Sequence, residues 1–468
     1  MGRKRRNQIH ESISFEGIAA KGKALSRIDG KVIFTDNALP GDIATVRVYK
    51  NKKDYAFAKI QTLHTPSEDR IEPFCEHFTD CGGCNWQYLG YEKQLEYKQN
   101  IVEDNFKFIG KFDYPLILPI LGCDETRYYR NKLEFTYTSK RWIPQSEVDS
   151  GKEIENRNGC GFHVPGMFSK VVDLDHCYLQ GQDSNKIRNK ISKIALDNDW
   201  TFYNLENHEG WLRNLILRSN IAGEYMLTLS VAYDAKDQIE QIYTILQKEF
   251  PFIISYHYVV NSKLNDSLGD QDILHYSGAA FLTETIGELK FKISPKSFFQ
   301  TNSKQTQKLY DVVKEFAAIQ KKEVVYDLYC GTGSITLYLA KEAKQILGIE
   351  TVAEAIIDAK ENATLNRIHN ATFIVGDVKD ILTEKFRSEN DAPDVIILDP
   401  PRAGLHPEMI ATLFALLPER IVYVSCNPAT QARDLSLLLN KYVITKTQPV
   451  DMFPHTYHIE NVVLLEKQ

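Results

Sequence analysis

The run RIVYVSC is strand-forming up to Ser425 and ends on Cys426, and Asn427-Pro428 turn the chain immediately afterwards. A thiol in that place can be a small core residue, a metal ligand or a nucleophile. Taken alone it reads as a core residue, because free cysteine is often simply buried. Its neighbourhood favours the nucleophile. Asp399-Pro400-Pro401-Arg402 ends an earlier strand-like run, DVIILDPP, so in a parallel sheet the carboxylate and the thiol converge over one ligand. Three further thiols, Cys75, Cys81 and Cys84, stand together in CEHFTDCGGC and ask for a different chemistry. In a reduced compartment such a group points to metal more than to disulfides. Zinc would need a fourth thiolate or a histidine such as His77, and an iron–sulfur cluster would need a fourth thiolate. The spacing leaves both open.

Asp327-Leu328-Tyr329-Cys330-Gly331-Thr332-Gly333 follows a strand-like run and opens a helical one. Gly331 and Gly333 permit a tight turn and close approach of backbone to a ligand. Glu350 ends the next strand-like run, where a carboxylate can take both hydroxyls of a ribose. Asp377 ends the third, FIVGD, at the level of an adenine edge. NAD and S-adenosylmethionine both fit this outline. The missing third glycine, in GTGSIT, and Asp399-Pro400-Pro401 facing the place of a sulfonium methyl favour S-adenosylmethionine.

A cysteine one strand beyond DPPR, with no aromatic after the prolines, suits methylation of a carbon. C5 of a uracil is a poor nucleophile. A thiolate adding to C6 gives C5 carbanion character, so that C5 can attack the methyl group. A base must then remove the C5 proton, and the thiolate leaves by β-elimination. Thiolate is both accessible near neutral pH and a good leaving group. Asp399 would hydrogen-bond the uracil edge or steady the ring. Glu460, His455 and His458, all in DMFPHTYHIE, are the available bases.

These residues need a scaffold of two or three domains, which 468 residues can supply with sizeable cores. From residue 323 the chain alternates strands and helices: EVVYDLY, SITLYLAKEA, QILGIE, AEAIIDAKENATLN, ATFIVGD, DVIILDPP, HPEMIATLFALL and RIVYVSC. The rhythm predicts a doubly wound α/β domain over 291–468, Rossmann-like, with ligands at the carboxyl ends of the strands. Residues 67–290 predict an α+β domain, with helices over 86–109, 184–197 and 235–249. Residues 1–66 alternate apolar and polar residues between Gly17, Gly22, Gly30 and Pro40-Gly41, as short strands of a small OB-like β-barrel do.

Charge is uneven along this order. The chain is acidic overall, at −6, which argues against a uniformly cationic nucleic-acid binder. The first 66 residues nevertheless hold 13 Lys and Arg against 6 Asp and Glu. MGRKRR and the barrel residues Lys21, Lys23, Arg27, Lys31, Arg47, Lys50, Lys52 and Lys53 make a basic end suited to gripping nucleic acid. No apolar run approaches the roughly 18 residues of a membrane span, and no secretory signal opens the chain. A cytoplasmic protein is expected.

FFQTN (298–302), DLYCGTG (327–333), DPPRAGL (399–405), SCNPAT (425–430) and DMFPHTYHIE (451–460) resemble, as an ordered set, the motifs of the S-adenosylmethionine-dependent RNA uracil-5-methyltransferases. The resemblance implies Cys426 as nucleophile and Glu460 as general base, with Gln300, Tyr329, Glu350, Asp377 and Asp399 lining the cofactor and base pocket. The pattern departs at Ser334, where some members carry Asn, and at Tyr457, where some carry Gly. The ribosomal-RNA branch of the family joins an N-terminal TRAM barrel to C-x5-C-x2-C and a distant fourth cysteine, holding a [4Fe–4S] cluster. That implies Cys75, Cys81, Cys84 and Cys177 of VVDLDHC as ligands, in preference to Cys123 or Cys160. The tRNA branch generally lacks both features, so the implied substrate is 23S ribosomal RNA. The alternatives are a tRNA methyltransferase and an RNA-binding assembly factor with a methyltransferase-like domain. A target inside folded RNA must be flipped out to reach the thiol. Arg130 and Lys132 of YYRNK stand as candidate phosphate contacts.

Overall fold

The computed structural model describes residues 8–154 and 156–468. The basic run MGRKRR lies outside the described residues. Six strands between Ile9 and Thr65 form one barrel-like sheet, in the order Ile9–Ser14, Ile43–Asn51, Tyr55–Thr65, Lys31–Asp36, Lys23–Ile28 and Gly17–Ala19. The stretch KALSRIDGKVIFT becomes a hairpin, because Asp29 and Gly30 both take positive φ, as a tight two-residue turn requires. Alternation puts Ala24, Ile33, Ala44, Val46, Val48, Ala56 and Ala58 inside.

A seven-stranded mixed sheet forms the middle of the chain, from Lys132–Thr138 to Leu274–Gly278 in sequence. Helices Gln182–Asp197 and Lys236–Glu249 lie at the two predicted positions and bury Ile187, Ile191, Ile239, Ile242 and Leu246 into its core. The helix expected over 86–109 is shorter. It runs Tyr91–Asn105, and a π-helical turn over Phe106–Gly110 follows it. Trp86 and Leu89 are fully buried ahead of it, so those side chains serve packing between elements and not a helix face. Val102, Phe106 and Ile117 pack into the core of the C-terminal domain. Leu118 and Leu121 donate backbone N–H groups to Thr447 and Pro449 at its sheet edge. The segment therefore joins the C-terminal domain, although it precedes the middle sheet in sequence.

The C-terminal sheet has the order Ala371–Val375, Gln345–Glu350, Val324–Leu328, Val395–Leu398, Arg420–Ser425, Glu460–Lys467, Tyr442–Val450. The first five strands are parallel, and Glu460–Lys467 runs antiparallel to both of its neighbours. Val325 packs into one apolar layer and Val324, Tyr326 and Leu328 into the other, as a strand covered by helices on both faces must. The strand order reverses beside Val324–Leu328, and the crevice over that point is where ligands bind in such sheets. No helix among the described residues is long and apolar enough to cross a membrane.

Candidate active site

The sheet register explains how distant residues meet. Ser425 pairs with Asn461 in the antiparallel ladder, so Cys426 and Glu460 occupy facing positions one step further on. The buried Gln431 amide locks that end by donating to the carbonyls of Tyr423 and Asn461 and accepting from Asn461 Nδ2. Leu398 lies beside both Leu328 and Tyr423 in the parallel ladder, which brings Asp399 to the same end of the sheet.

The turns carrying Asp399 and Cys426 are tied together. Asn427 caps helix Pro428–Leu438 by accepting from Ala429 N, and its Nδ2 donates to the Arg402 carbonyl at 2.9 Å. Thr430 Oγ1 donates to the same carbonyl at 3.2 Å. Gly404 takes φ +74, and a Cβ there would stand 2.5 Å from Asp434 Oδ2. That carboxylate accepts from Leu405 N and from the Tyr423 hydroxyl. The close approach therefore excludes any side chain at residue 404.

Three acidic groups share this end. Burial pushes Cys426 up to about 11, and the charges of Glu460 and Asp399 add to the rise while Arg402 opposes it. Burial raises Asp399 to about 7. Glu460 is raised well above the carboxylate range, mainly by burial and also by Asp399. Neighbouring acids in a desolvated pocket resist simultaneous ionisation. Arg402 is the cation that favours a thiolate there, a task that the sequence pattern does not assign to it.

His455 and His458 lie near, with different roles. His455 sits at φ +63, accepts from Asn85 N and Trp86 N through its carbonyl, and meets Gln94 with both its N–H and its ring. It is a structural link. His458 is held down to about 4 by burial, then by Arg402, Lys98 and Arg130, which makes it a weak base. Tyr457 packs beside His458 and against the barrel.

Around the reversal point, Gly331 N donates to Glu350 Oε2 at 3.2 Å, and Glu350 Oε1 accepts from Val352 N. A Cβ on Gly331 would meet nothing within 4 Å, whereas one on Gly333 would strike Phe373 and Ala359. The first glycine therefore opens onto a cleft and the second lets helix Ser334–Ala340 close on the sheet. Tyr329, at φ +71, carries the turn. Ser334 spends its hydroxyl on Tyr310, at 2.6 Å. Asp377 is exposed and caps its own short helix through Lys379 N. Gln300 is held from the middle domain: Asn131 Nδ2 donates to its carbonyl at 2.9 Å, Asn131 N to that of Thr301, and Arg218 to that of Ser297. Lys132 is more than half buried beside Arg218 and Glu134, and Arg130 lies over the Phe453 ring.

Cys75, Cys81, Cys84 and Cys177 line one small pocket of about 20 Å³, with Phe74, Phe78 and other mostly apolar residues. Cys123 and Cys160 lie elsewhere: Cys123 donates to the Asp451 carbonyl, and Cys160 is buried in the middle core. Among the described residues, no three Cys, His, Asp or Glu side chains are grouped as one metal ion would need.

Comparison with known proteins gives a consistent answer. The sequence profile of the tRNA (uracil-5-)-methyltransferases matches residues 283–468, and that of the TRAM domain matches residues 11–60. An uncharacterized RNA methyltransferase of Bacteroides thetaiotaomicron is 47% identical over 96% of this chain and 100% of its own length. One of Chlorobaculum tepidum is 41% identical over 92% of this chain and 90% of its own. The solved tRNA (uracil-54, C5)-methyltransferase of Pyrococcus abyssi, in complex with S-adenosyl-L-homocysteine, is similar at 27% identity and a TM-score of 0.76. The similarity covers 97% of this chain and 100% of that one. With its TRAM barrel, its methyltransferase sheet and full-length relatives, this chain belongs to the S-adenosylmethionine-dependent RNA uracil-5-methyltransferase family.

Proposed function

We propose that the protein methylates C5 of a uridine in 23S ribosomal RNA through a covalent adduct on Cys426. The observation that carries the mechanism is the ladder register facing Cys426 with Glu460 beside Asp399 and Arg402. The Cys426 thiolate forms a bond to C6, and the C5–C6 π pair moves into an enolate. C5 takes the methyl group, and the pair of the broken S–CH₃ bond stays on sulfur as S-adenosylhomocysteine. Glu460 accepts the C5 proton, the C5–C6 double bond re-forms, and the C6–S bond breaks to return the thiolate. Asp399 orients the ring. Glu350 takes the ribose of S-adenosylmethionine, and Gln300, Tyr329, Gly331, Gly333 and Asp377 complete its cleft.

Cys75, Cys81, Cys84 and Cys177 are the proposed ligands of a [4Fe–4S] cluster. Burial raises Cys84 to about 12 and Cys81 further, with the other thiols adding to the rise. Four such thiols become thiolates only against a strongly cationic group. That the four thiols line one pocket supports the cluster reading, with zinc as the alternative. Anaerobically purified protein is expected to be brown and to carry about four iron per chain. A colourless protein holding zinc defeats the assignment.

The barrel and the cysteine group support ribosomal RNA. A tRNA target is the second reading, because the Pyrococcus abyssi enzyme, named for tRNA, is covered along its whole length, so a barrel alone does not separate the two substrates. Mapping 5-methyluridine in both RNAs from a strain lacking this chain decides. Loss of one ribosomal 5-methyluridine is the expected result, and loss confined to tRNA replaces the first reading with the second.

A further inference from the structure

The loop 451–459 joins two strands whose ladder ends where the loop begins. Val450 faces Glu460, and that is the last pair. A terminal pair frays unless the chain beyond it is held. His458 of the same loop feels the charge of Arg402, as Cys426 does, so the loop borders the reacting centre. The conformation of the loop and the placement of the Glu460 carboxylate are therefore one problem.

Residues far away in sequence fix this loop at its turn. His455 takes φ +63. A residue with a side chain keeps that conformation only where its surroundings over-determine it, and such places cluster at active sites. The His455 carbonyl accepts from Asn85 N at 2.8 Å and from Trp86 N at 3.0 Å. Its N–H donates to Gln94 Oε1 at 2.8 Å. Gln94, on helix Tyr91–Asn105, is 0% exposed, and its Nε2 donates to the Trp86 and Leu89 carbonyls at 3.1 and 2.8 Å. One amide thus ties the loop to the same turn that grips the loop's carbonyl. Tyr129 donates its hydroxyl to the Pro454 carbonyl at 3.1 Å. Asn85 directly follows Cys84, and Gln87 Oε1 accepts from Cys75 N at 3.1 Å. The cysteine pocket and the loop therefore share the stretch 84–87.

A buried glutamine amide is costly unless every polar end is bonded, and this one spends its bonds on the loop and its anchor. We propose that Gln94 and His455 are positioning residues for removal of the C5 proton. The Gln94 amide locks His455 at positive φ, and the locked turn holds the Glu460 carboxylate toward Cys426. The proposal rests on Cys426 as nucleophile and Glu460 as base, and adds what sets the base in place. Its consequence is confined to one step. Addition to C6 and methyl transfer use Cys426 and the cofactor cleft, which the turn does not touch. Release alone uses Glu460. The cysteine pocket enters only through the backbone of 84–87, so no electron transfer is needed.

The test incubates the full-length protein with total RNA from a strain lacking this chain and with methyl-labelled S-adenosylmethionine. Turnover is read as 5-methyluridine in released RNA, and stalled release as label on a protein–RNA adduct in a denaturing gel. Gln94→Met keeps the bulk and loses the bonds. It is expected to slow turnover about 10- to 100-fold and to accumulate the adduct, with S-adenosylhomocysteine affinity unchanged. His455→Val puts a branched residue where φ is positive, and is expected to do the same without altering the helix. His455→Asn is expected to release product as the unmodified protein does, because asparagine accepts positive φ. Normal turnover without adduct in Gln94→Met and His455→Val overturns the proposal. A loss in His455→Asn equal to that in His455→Val makes the ring, and not the backbone, the cause and also overturns it. Slowed turnover without adduct, or with weakened S-adenosylhomocysteine binding, is general damage and overturns it where Glu460→Gln does accumulate adduct. Absence of adduct in Glu460→Gln as well removes the base reading itself.

Discussion

Glu460→Gln is expected to convert the enzyme from a catalyst into a trap. The thiol and the cofactor cleft remain, so addition to C6 and methyl transfer proceed once. Release needs removal of the C5 proton, and glutamine cannot take it. Turnover should fall about 10²- to 10⁴-fold, the usual worth of a positioned base. Methyl label from S-adenosylmethionine should then migrate with a protein–RNA adduct on a denaturing gel. Adding Cys426→Ala should abolish the adduct. Free 5-methyluridine formed at the normal rate would remove Glu460 from the mechanism. The pH dependence has a definite sign. The thiol is raised to about 11, so its thiolate fraction grows with pH across the neutral range, and adduct formation should rise with it. The charge of Glu460 is one cause of that elevation. Its removal should therefore move the midpoint of adduct formation to lower pH.

Much of this site could be read from order and spacing. Period-2 and period-3.6 patterns after residue 323, with DLYCGTG and DPPR at strand ends, place cofactor and acid in one crevice, because parallel sheets always present their carboxyl ends together. The facing of Cys426 by Glu460 could not be read that way. It depends on a late antiparallel strand inserted between Arg420–Ser425 and Tyr442–Val450, which no local pattern announces. Arg402 is plain in DPPR, but its effect on the thiol is electrostatic and needs three-dimensional distance. Helix Tyr91–Asn105 shows the same limit. Trp86 and Leu89 fit a helical period, but Gly90 precedes the observed first turn, and both residues are buried by neighbours far along the chain. What packs on that helix decided its boundary, and sequence alone carries no record of it.

That helix supplies the largest expected effect on stability. Lys98 and Asp451 form an ion pair at 2.6 Å with both side chains fully buried. Lys98 also donates to the Phe453 carbonyl, and Asp451 accepts from Phe453 N and the Tyr91 hydroxyl. Burial holds the Lys98 ammonium below its usual range, against the pull of Asp451. Such a pair is costly to bury but more costly to break, because the survivor keeps an uncompensated charge. Lys98→Met should therefore cost about 3–5 kcal/mol in denaturant unfolding. Asp451→Asn should cost a similar amount. The double variant should recover part of that loss, with a coupling of about 2–3 kcal/mol. Additive losses would mean that the charges do not act as a pair. The same contacts hold the backbone that leads from Asp451 to Glu460. At temperatures where Lys98→Met stays folded, S-adenosylhomocysteine should bind as before, since Glu350 and Gly331 are untouched. Adduct release, which needs Glu460 in place, should slow, so the single variant should accumulate a milder form of the Glu460→Gln adduct.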